Sequence, residues 1–487
     1  MNAYFLGVFA VFPTLAVALQ PISDVDLQQV SGQAGLTIET TINNPDDPGT
    51  FVTTGAIRFT ENDLDGEGEE YFETESLKIQ MVELDGSGNV IGPGDFTTTI
   101  DVLADGTLSL KTTDISALNI SLGAVNFSGR TVGQVDINKW KFGSGSFLET
   151  GVVPDASTVK LRMRTLMTAG SELDFRYTED NLTLATDVKF ESTSSGEAFE
   201  SEFFLSAVDN ELRLEFGKTV GTLELNNLRL LDDGGNNLFG NRSFGDVGFG
   251  DVTVNDGYFS LKTNPDGEGL AGSFSLDQTI GNLFYRTNGN RLAVRNFNLN
   301  TNGLANYTFE LSGSNTDYAR GFTTTISGLT NLDLTFSSIG FEDGDGTNPT
   351  PSIGSYALKN FSQLGTTMTI DVLALSGAGN EGLQVNTEIP KAKFDVTICD
   401  KPSRCSDSDP KITAATEITN LSISNKFDLT EKGLHISIDD LSVSSIDISS
   451  IKLGDNQTYQ GQTGRVVVSD LTLAPGSYMR AEPISIP

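Results

Sequence analysis

The side chains with the clearest chemical potential are clustered carboxylates. Asn62-Asp63-Leu64-Asp65-Gly66-Glu67-Gly68-Glu69 alternates acids with glycine, and Asp343-Gly344-Asp345-Gly346 and Asn264-Pro265-Asp266-Gly267-Glu268-Gly269 repeat the theme. Oxygen ligands on a bending loop are what Ca²⁺ takes. Asp63, Asp65 and Glu67 are therefore the first candidates for a metal site, and Ca²⁺ is the one ion the sequence suggests. The competing reading is plain turns, because Asp-Gly is a favoured hairpin pair. None of these loops carries the twelve-residue helix-loop-helix pattern or a nonapeptide array.

Two cysteines, Cys399 and Cys405, enclose Asp400-Lys401-Pro402-Ser403-Arg404. Lys401–Arg404 makes a turn that brings the pair together. In an exported chain this spacing predicts a small disulfide-closed loop, whereas redox pairs use Cys-x-x-Cys. Histidine occurs once, at His435, between Leu434 and Ile436. A His-rich zinc site is thereby excluded, and no strand-turn-helix elbow surrounds any serine. Phosphate loops, dinucleotide fingerprints and metalloprotease motifs are absent from the sequence. Trp140 and Phe142 alternate with Lys139 and Lys141, which suits a core strand or, alternatively, a carbohydrate-docking face. No catalytic residue is expected, and the chain does not read as an enzyme.

The elements that must carry these residues are strands. Thr107–Lys111, Glu211–Phe216, Thr222–Leu225 and His435–Asp439 alternate apolar and polar side chains. Period-two alternation places one set inside and the other in water. Turn pairs such as Asp85-Gly86 and Asp105-Gly106 punctuate the runs. Leu161–Thr168 is compatible with either a short helix or a strand. The 30 Phe residues are spread along the chain, which argues against disorder despite 31 basic against 65 acidic residues and a net charge of −34. That charge disfavours nucleic-acid binding and leaves no basic patch for anionic lipid.

The expected fold is all-β, with elongated antiparallel sheets in sandwich-like layers. Internal echoes support related units. Thr99–Ala104 recurs identically as Thr369–Ala374, Phe96–Ile100 as Phe322–Ile326, and Val135–Gly143 resembles Ile446–Gly454. Their unequal spacing excludes a fixed-period solenoid. The organisation expected is a signal peptide over residues 1–18 and a short helical leader segment over 19–35. An N-terminal β unit over 36–150 and a middle β region over 151–341 follow, then a loop or linker over 342–354 and a C-terminal β unit over 355–487.

Residues Ala3–Val17 are almost wholly apolar, and Ala16-Val17-Ala18 fits a small-x-small cleavage site, with cutting between Ala18 and Leu19. Met1–Tyr4 lacks the usual Lys or Arg. Ser23 can cap a short helix that Gly32 would end. The run from Gln20-Pro21 through Gly32-Gln33-Ala34-Gly35-Leu36-Thr37-Ile38 resembles the start of a family of uncharacterised exported proteins of Gram-negative bacteria, some labelled FilA-like pilus-system proteins. The resemblance implies a surface or fimbria-associated role and no known chemistry. Asp26–Gly32 also has the look of a double-glycine leader, with Gln33 in place of the second glycine.

These readings point to a non-catalytic exported structural protein, pilus-associated or adhesive, in the periplasm, on the outer membrane or outside the cell. Self-assembly or fimbrial partners would follow. The alternatives are a secreted module binding carbohydrate or Ca²⁺, and an outer-membrane β-barrel. A single Trp and 10 Tyr are few for two aromatic girdles.

Overall fold

A computed structural model describes residues 36–481 apart from 42–49, 61–70, 128–129, 155–158, 180, 209–210, 266–268, 288, 313–317, 344–353, 366, 376–382, 400–410, 431–432, 455–463 and 474–476. The signal segment expected over 1–18 with its cleavage site at Ala18 and Leu19, the leader helix expected over 19–35, and Asp63, Asp65, Glu67 and Cys405 lie outside the described residues.

Among the described residues there is no helix, and Leu161–Thr168 falls almost wholly within a strand. β-branched and aromatic residues suit a pleated, half-buried surface. The chain begins with β1 (Leu36–Thr41), β2 (Thr50–Thr54), β3 (Ile57–Thr60), β4 (Tyr71–Thr74), β5 (Leu77–Leu84) and β6 (Val90–Pro93). Next come β7 (Asp95–Val102), β8 (Leu108–Thr113), β9 (Ala117–Phe127), β10 (Arg130–Lys141), β11 (Phe147–Pro154) and β12 (Val159–Met167). The middle holds β13 (Ser171–Glu179), β14 (Leu182–Glu191), β15 (Phe199–Val208), β16 (Glu211–Leu231), β17 (Asp246–Thr263) and β18 (Leu270–Thr287). They are followed by β19 (Asn290–Asn300), β20 (Ala305–Ser312), β21 (Tyr318–Ser327), β22 (Leu332–Phe336), β23 (Ser338–Asp343) and β24 (Ser355–Gln363). The last are β25 (Met368–Leu375), β26 (Leu383–Cys399), β27 (Lys411–Thr430), β28 (Gly433–Gly454), β29 (Gly464–Leu473) and β30 (Ser477–Ala481).

The strands pair antiparallel into two ribbons. The first ribbon runs β1-β7-β8-β11-β12-β15 and meets the first half of β16. The second runs β2-β5-β9-β10-β13-β14 and meets the second half of β16. β16, β17, β18, β26, β27 and β28, of 17–22 residues each, cross both ribbons. We call the line where the ribbons meet the seam and their outer margins the rims. Between β18 and β26 the ribbons part and rejoin. There β18-β19-β22-β24-β26-β25-β21-β20 closes a ring of hydrogen-bonded neighbours, a barrel within the longer sheet. Strand pairing runs without a break past residue 150, which lies inside β11.

Alternation makes apolar rungs across each ribbon. Ile100, Leu110, Thr150, Met163, Phe203 and Phe216 stand opposite one another in turn on the first. Ile79, Ile120, Ile137 and Phe175 do so on the second. The largest core joins the ribbons: Met167 with Phe96, Leu148 and Phe199 of the first packs with Leu77, Leu118, Ile120, Trp140 and Phe190 of the second. A second cluster sets Phe59 and Phe72 of β3 and β4 against Phe309, Leu311 and Phe322 of β20 and β21.

A recurrent kink shapes the strands. Among the described residues eleven that are not glycine have positive φ, and nine of them are Asn or Asp. These residues tolerate the left-handed region best among non-glycines. Ten of the eleven, all but Asn302, precede an apolar residue: Asn227-Leu228, Asp251-Val252, Asn360-Phe361 and Asn420-Leu421 are examples. At several of these positions the amide turns to a side-chain acceptor on a neighbouring strand. The Asn227 amide donates to Asp246 Oδ1 at 2.7 Å, that of Asn360 to Asp333 Oδ1 at 2.9 Å, and that of Lys139 to Asn119 Oδ1 at 2.8 Å.

Candidate functional sites

On the outer face of the first ribbon, β7, β8, β11 and β12 form a hollow of about 310 Å³ lined by Thr99, Asp101, Leu103, Ser109, Lys111, Glu149, Arg162 and Arg164. The alternation Lys160-Leu161-Arg162-Met163-Arg164 turns its cations to this face and its apolar residues inward. Glu149 is buried and is held by Arg162, by Arg164 at 3.7 Å, and by the Ser109 hydroxyl, which donates to it at 2.8 Å. Arg164 also reaches Glu200 at 2.6 Å, and Lys218 reaches the same carboxylate at 2.9 Å. Burial pushes the Glu200 carboxyl up, but those two cations outweigh it and hold it below its ordinary range. Lys111 lies 4.1 Å from the Phe147 ring centroid. The hollow's guanidinium groups are thus engaged by carboxylates. The arrangement ties neighbouring strands together.

The second ribbon repeats the device. Arg229 grips Asp187 at 2.9 and 3.0 Å, and Arg286 reaches Asp246 at 2.9 Å. Burial raises the Asp187 carboxyl, and the Arg229 contacts more than reverse this. Arg295 makes a two-pronged contact with buried Glu342 at 2.7 Å to each oxygen, and Arg291 stands 4.0 Å over the Phe284 ring. Burial pushes the Arg291 guanidinium downward from its usual range. Sequence reading missed these ladders. Their signal was present as charged residues two apart on alternating strands, but which strands adjoin is not a local property.

His435 Nδ1 donates to the Asp428 carboxylate, whose Oδ1 lies 2.9 Å away on the facing strand. Ser437, two residues along, donates to Asp439 at 2.9 Å. Trp140 is buried in the main core and stacks on Phe142 with centroids 5.4 Å apart; it lines no docking face. Cys399 ends β26 and is buried, and no free thiol stands among the described residues. Among the described residues no group of three His, Cys, Asp or Glu could hold a metal ion.

The remaining candidate is the end of the sheet. β29 pairs with β28 and all ten of its residues are exposed. It carries Val466, Val467, Val468, Leu471 and Leu473 on its two faces. Apolar rungs stop there unfinished: Ala392, Ile418, Ile446 and Val468 stand opposite one another in turn, as do Ile389, Leu421, Val443 and Leu471. A long apolar edge strand with free N–H and C=O groups is a template for another strand.

No curated protein and no solved structure matches the chain. Residues 2–104, which take in β1 to β7, are similar to a family of unknown function, DUF6160.

Proposed function

We propose that this is a non-catalytic structural protein of the cell exterior, exported by its N-terminal segment and built to join neighbours through the ends of its sheet. Among the described residues β29 pairs with β28 alone, and the row it leaves open is the observation that carries the reading. Soluble sheets normally blunt such an edge with charge, proline or a cover, and this strand has Arg465 and Asp470 as its only charges. The unfinished rungs support an interface. The ion-pair ladders support rigidity: they bind strand to strand across the outer faces and leave the hollow's cations committed. A pilus-associated or adhesive role fits this reading and the leader sequence.

Export places the chain in an oxidising compartment, where Cys399 and Cys405 form a disulfide; the burial of Cys399 at a strand end supports the bridge. Protease treatment of intact cells followed by fractionation tests the proposal. Loss of the protein from intact cells is expected. Full protection together with a cytoplasmic location and an uncut N-terminus would overturn it.

A further inference from the structure

The two ends of the sheet match each other in strand polarity. At the N-terminal end the outermost row is β1 on the first ribbon, paired with β7, and β2 on the second, paired with β5. β1 runs from rim to seam and β2 from seam to rim, so this row crosses from the first ribbon to the second. At the other end β29 and β30 lie end to end along β28. Gly464 stands opposite Ile451 on the second ribbon, Leu473 opposite Leu441 on the first, and Ala481 opposite Leu434 at the first rim. This row crosses from the second ribbon to the first.

Antiparallel pairing requires neighbours of opposite direction. The last row of one molecule and the first row of another have that relation on both ribbons at once. We propose that a second copy of this chain occupies the open end, its β1–β2 row pairing antiparallel with the β29–β30 row of the first. The inference rests on the structural-protein reading and adds the occupant, the strands and the direction. A generic extended peptide would satisfy one ribbon. Only a partner with the same two-ribbon section continues the rungs ending at Val468 on the second ribbon and at Leu471 and Leu473 on the first. The contact joins different surfaces of the two copies and leaves a free end each time, so it propagates into a filament.

Two single substitutions test it in the full exported protein: Ile38→Cys in β1 and Leu473→Cys in β29, both on the first ribbon. Mixed under mild oxidation, they are expected to give a covalent heterodimer, with mass spectrometry placing the new bridge between residues 38 and 473. Each variant alone should stay uncross-linked at the new cysteine. A Leu473→Cys homodimer in place of the heterodimer would mean two-fold edge pairing and overturn the proposal. In parallel, Val466→Lys with Val468→Lys should abolish concentration-dependent growth in light scattering while the far-ultraviolet spectrum stays unchanged. Wild-type protein that remains monomeric at every concentration would also overturn it. Surface exposure on intact cells is read separately, so a monomeric surface protein sinks this inference and leaves the functional proposal standing.

Discussion

The N-terminal core and the C-terminal end are made of the same strands and differ in what faces them. Leu118 and Leu77, on β9 and β5, are 0% and 1% exposed, whereas Val467 on β29 is 49% exposed and Ile412 on β27 is 44% exposed. Alternation is equally regular in both. In the first region residues of both ribbons close on one cluster, while in the second the ladder stops. Burial here follows from the neighbours a strand is given, more than from its own pattern. Stability should therefore concentrate near β5–β16, and association near β29.

The largest separation between the two regions should come from core truncation. Leu118→Ala is expected to cost about 2–5 kcal/mol in denaturant unfolding, and Val467→Ala no more than about 0.5 kcal/mol. Comparable losses at both sites would break the contrast. Next comes close packing in the middle of the sheet. A Cβ at Gly272 would lie 1.9 Å from the Ser260 carbonyl oxygen, so Gly272→Ala should destabilise by about 1–3 kcal/mol. Smaller still is the kink at Asn360. Its φ is +56° and its side chain donates to Asp395 at 2.8 Å. Asn360→Val should cost about 1–2 kcal/mol, and Asn360→Gly should recover most of it by thermal melting.

The smallest effects are electrostatic, and they sharpen the comparison by pH. The Glu200 and Asp187 carboxyls titrate below their ordinary range in the folded protein. The unfolded chain then binds more protons between the folded and unfolded pKa values, so stability rises with pH there. Their contribution is present above about pH 4, the unfolded range, and is lost as pH falls through the depressed folded values. Glu200→Gln should flatten acid unfolding in that window. Asp447 is likewise depressed, by Arg465 at the open end, but that pair is solvent-facing and should vanish in high salt. Salt-resistant behaviour of Asp447→Asn would show that the end is covered, as in an assembled row.

Strand identity was legible because it is local. The runs at Thr107–Lys111, from Leu108 on, and at His435–Asp439 fall in β8 and β28. Glu211–Phe216 and Thr222–Leu225 read as two strands and are one, β16, bent where Gly221 takes φ +151°. The echo between Val135–Gly143 and Ile446–Gly454 has a physical cause. Its aligned Lys139 and Ser450 both have positive φ, at 50° and 53°, and both sit at register shifts. Likewise Thr99–Val102 and Thr369–Ala374 both lie on the first ribbon, in β7 and β25. The wider signal, Asn or Asp before an apolar residue, was in plain view and went unread. The ladders around Glu149 and Glu342 were hidden because they join residues tens of positions apart. The acidic loop of Asp63, Asp65 and Glu67 lies outside the described residues.

The strands that cross both ribbons make length an adjustable quantity. β27 and β28 form a hairpin that runs out across the sheet and back, so removing it leaves β26 and β29 with the same opposed directions they need to pair. Each such hairpin adds two strand spacings, about 10 Å, without altering the section at either end. The molecule behaves as a ruler whose graduations are hairpins, and excision of residues 411–454 should shorten it by one graduation while leaving a folded body.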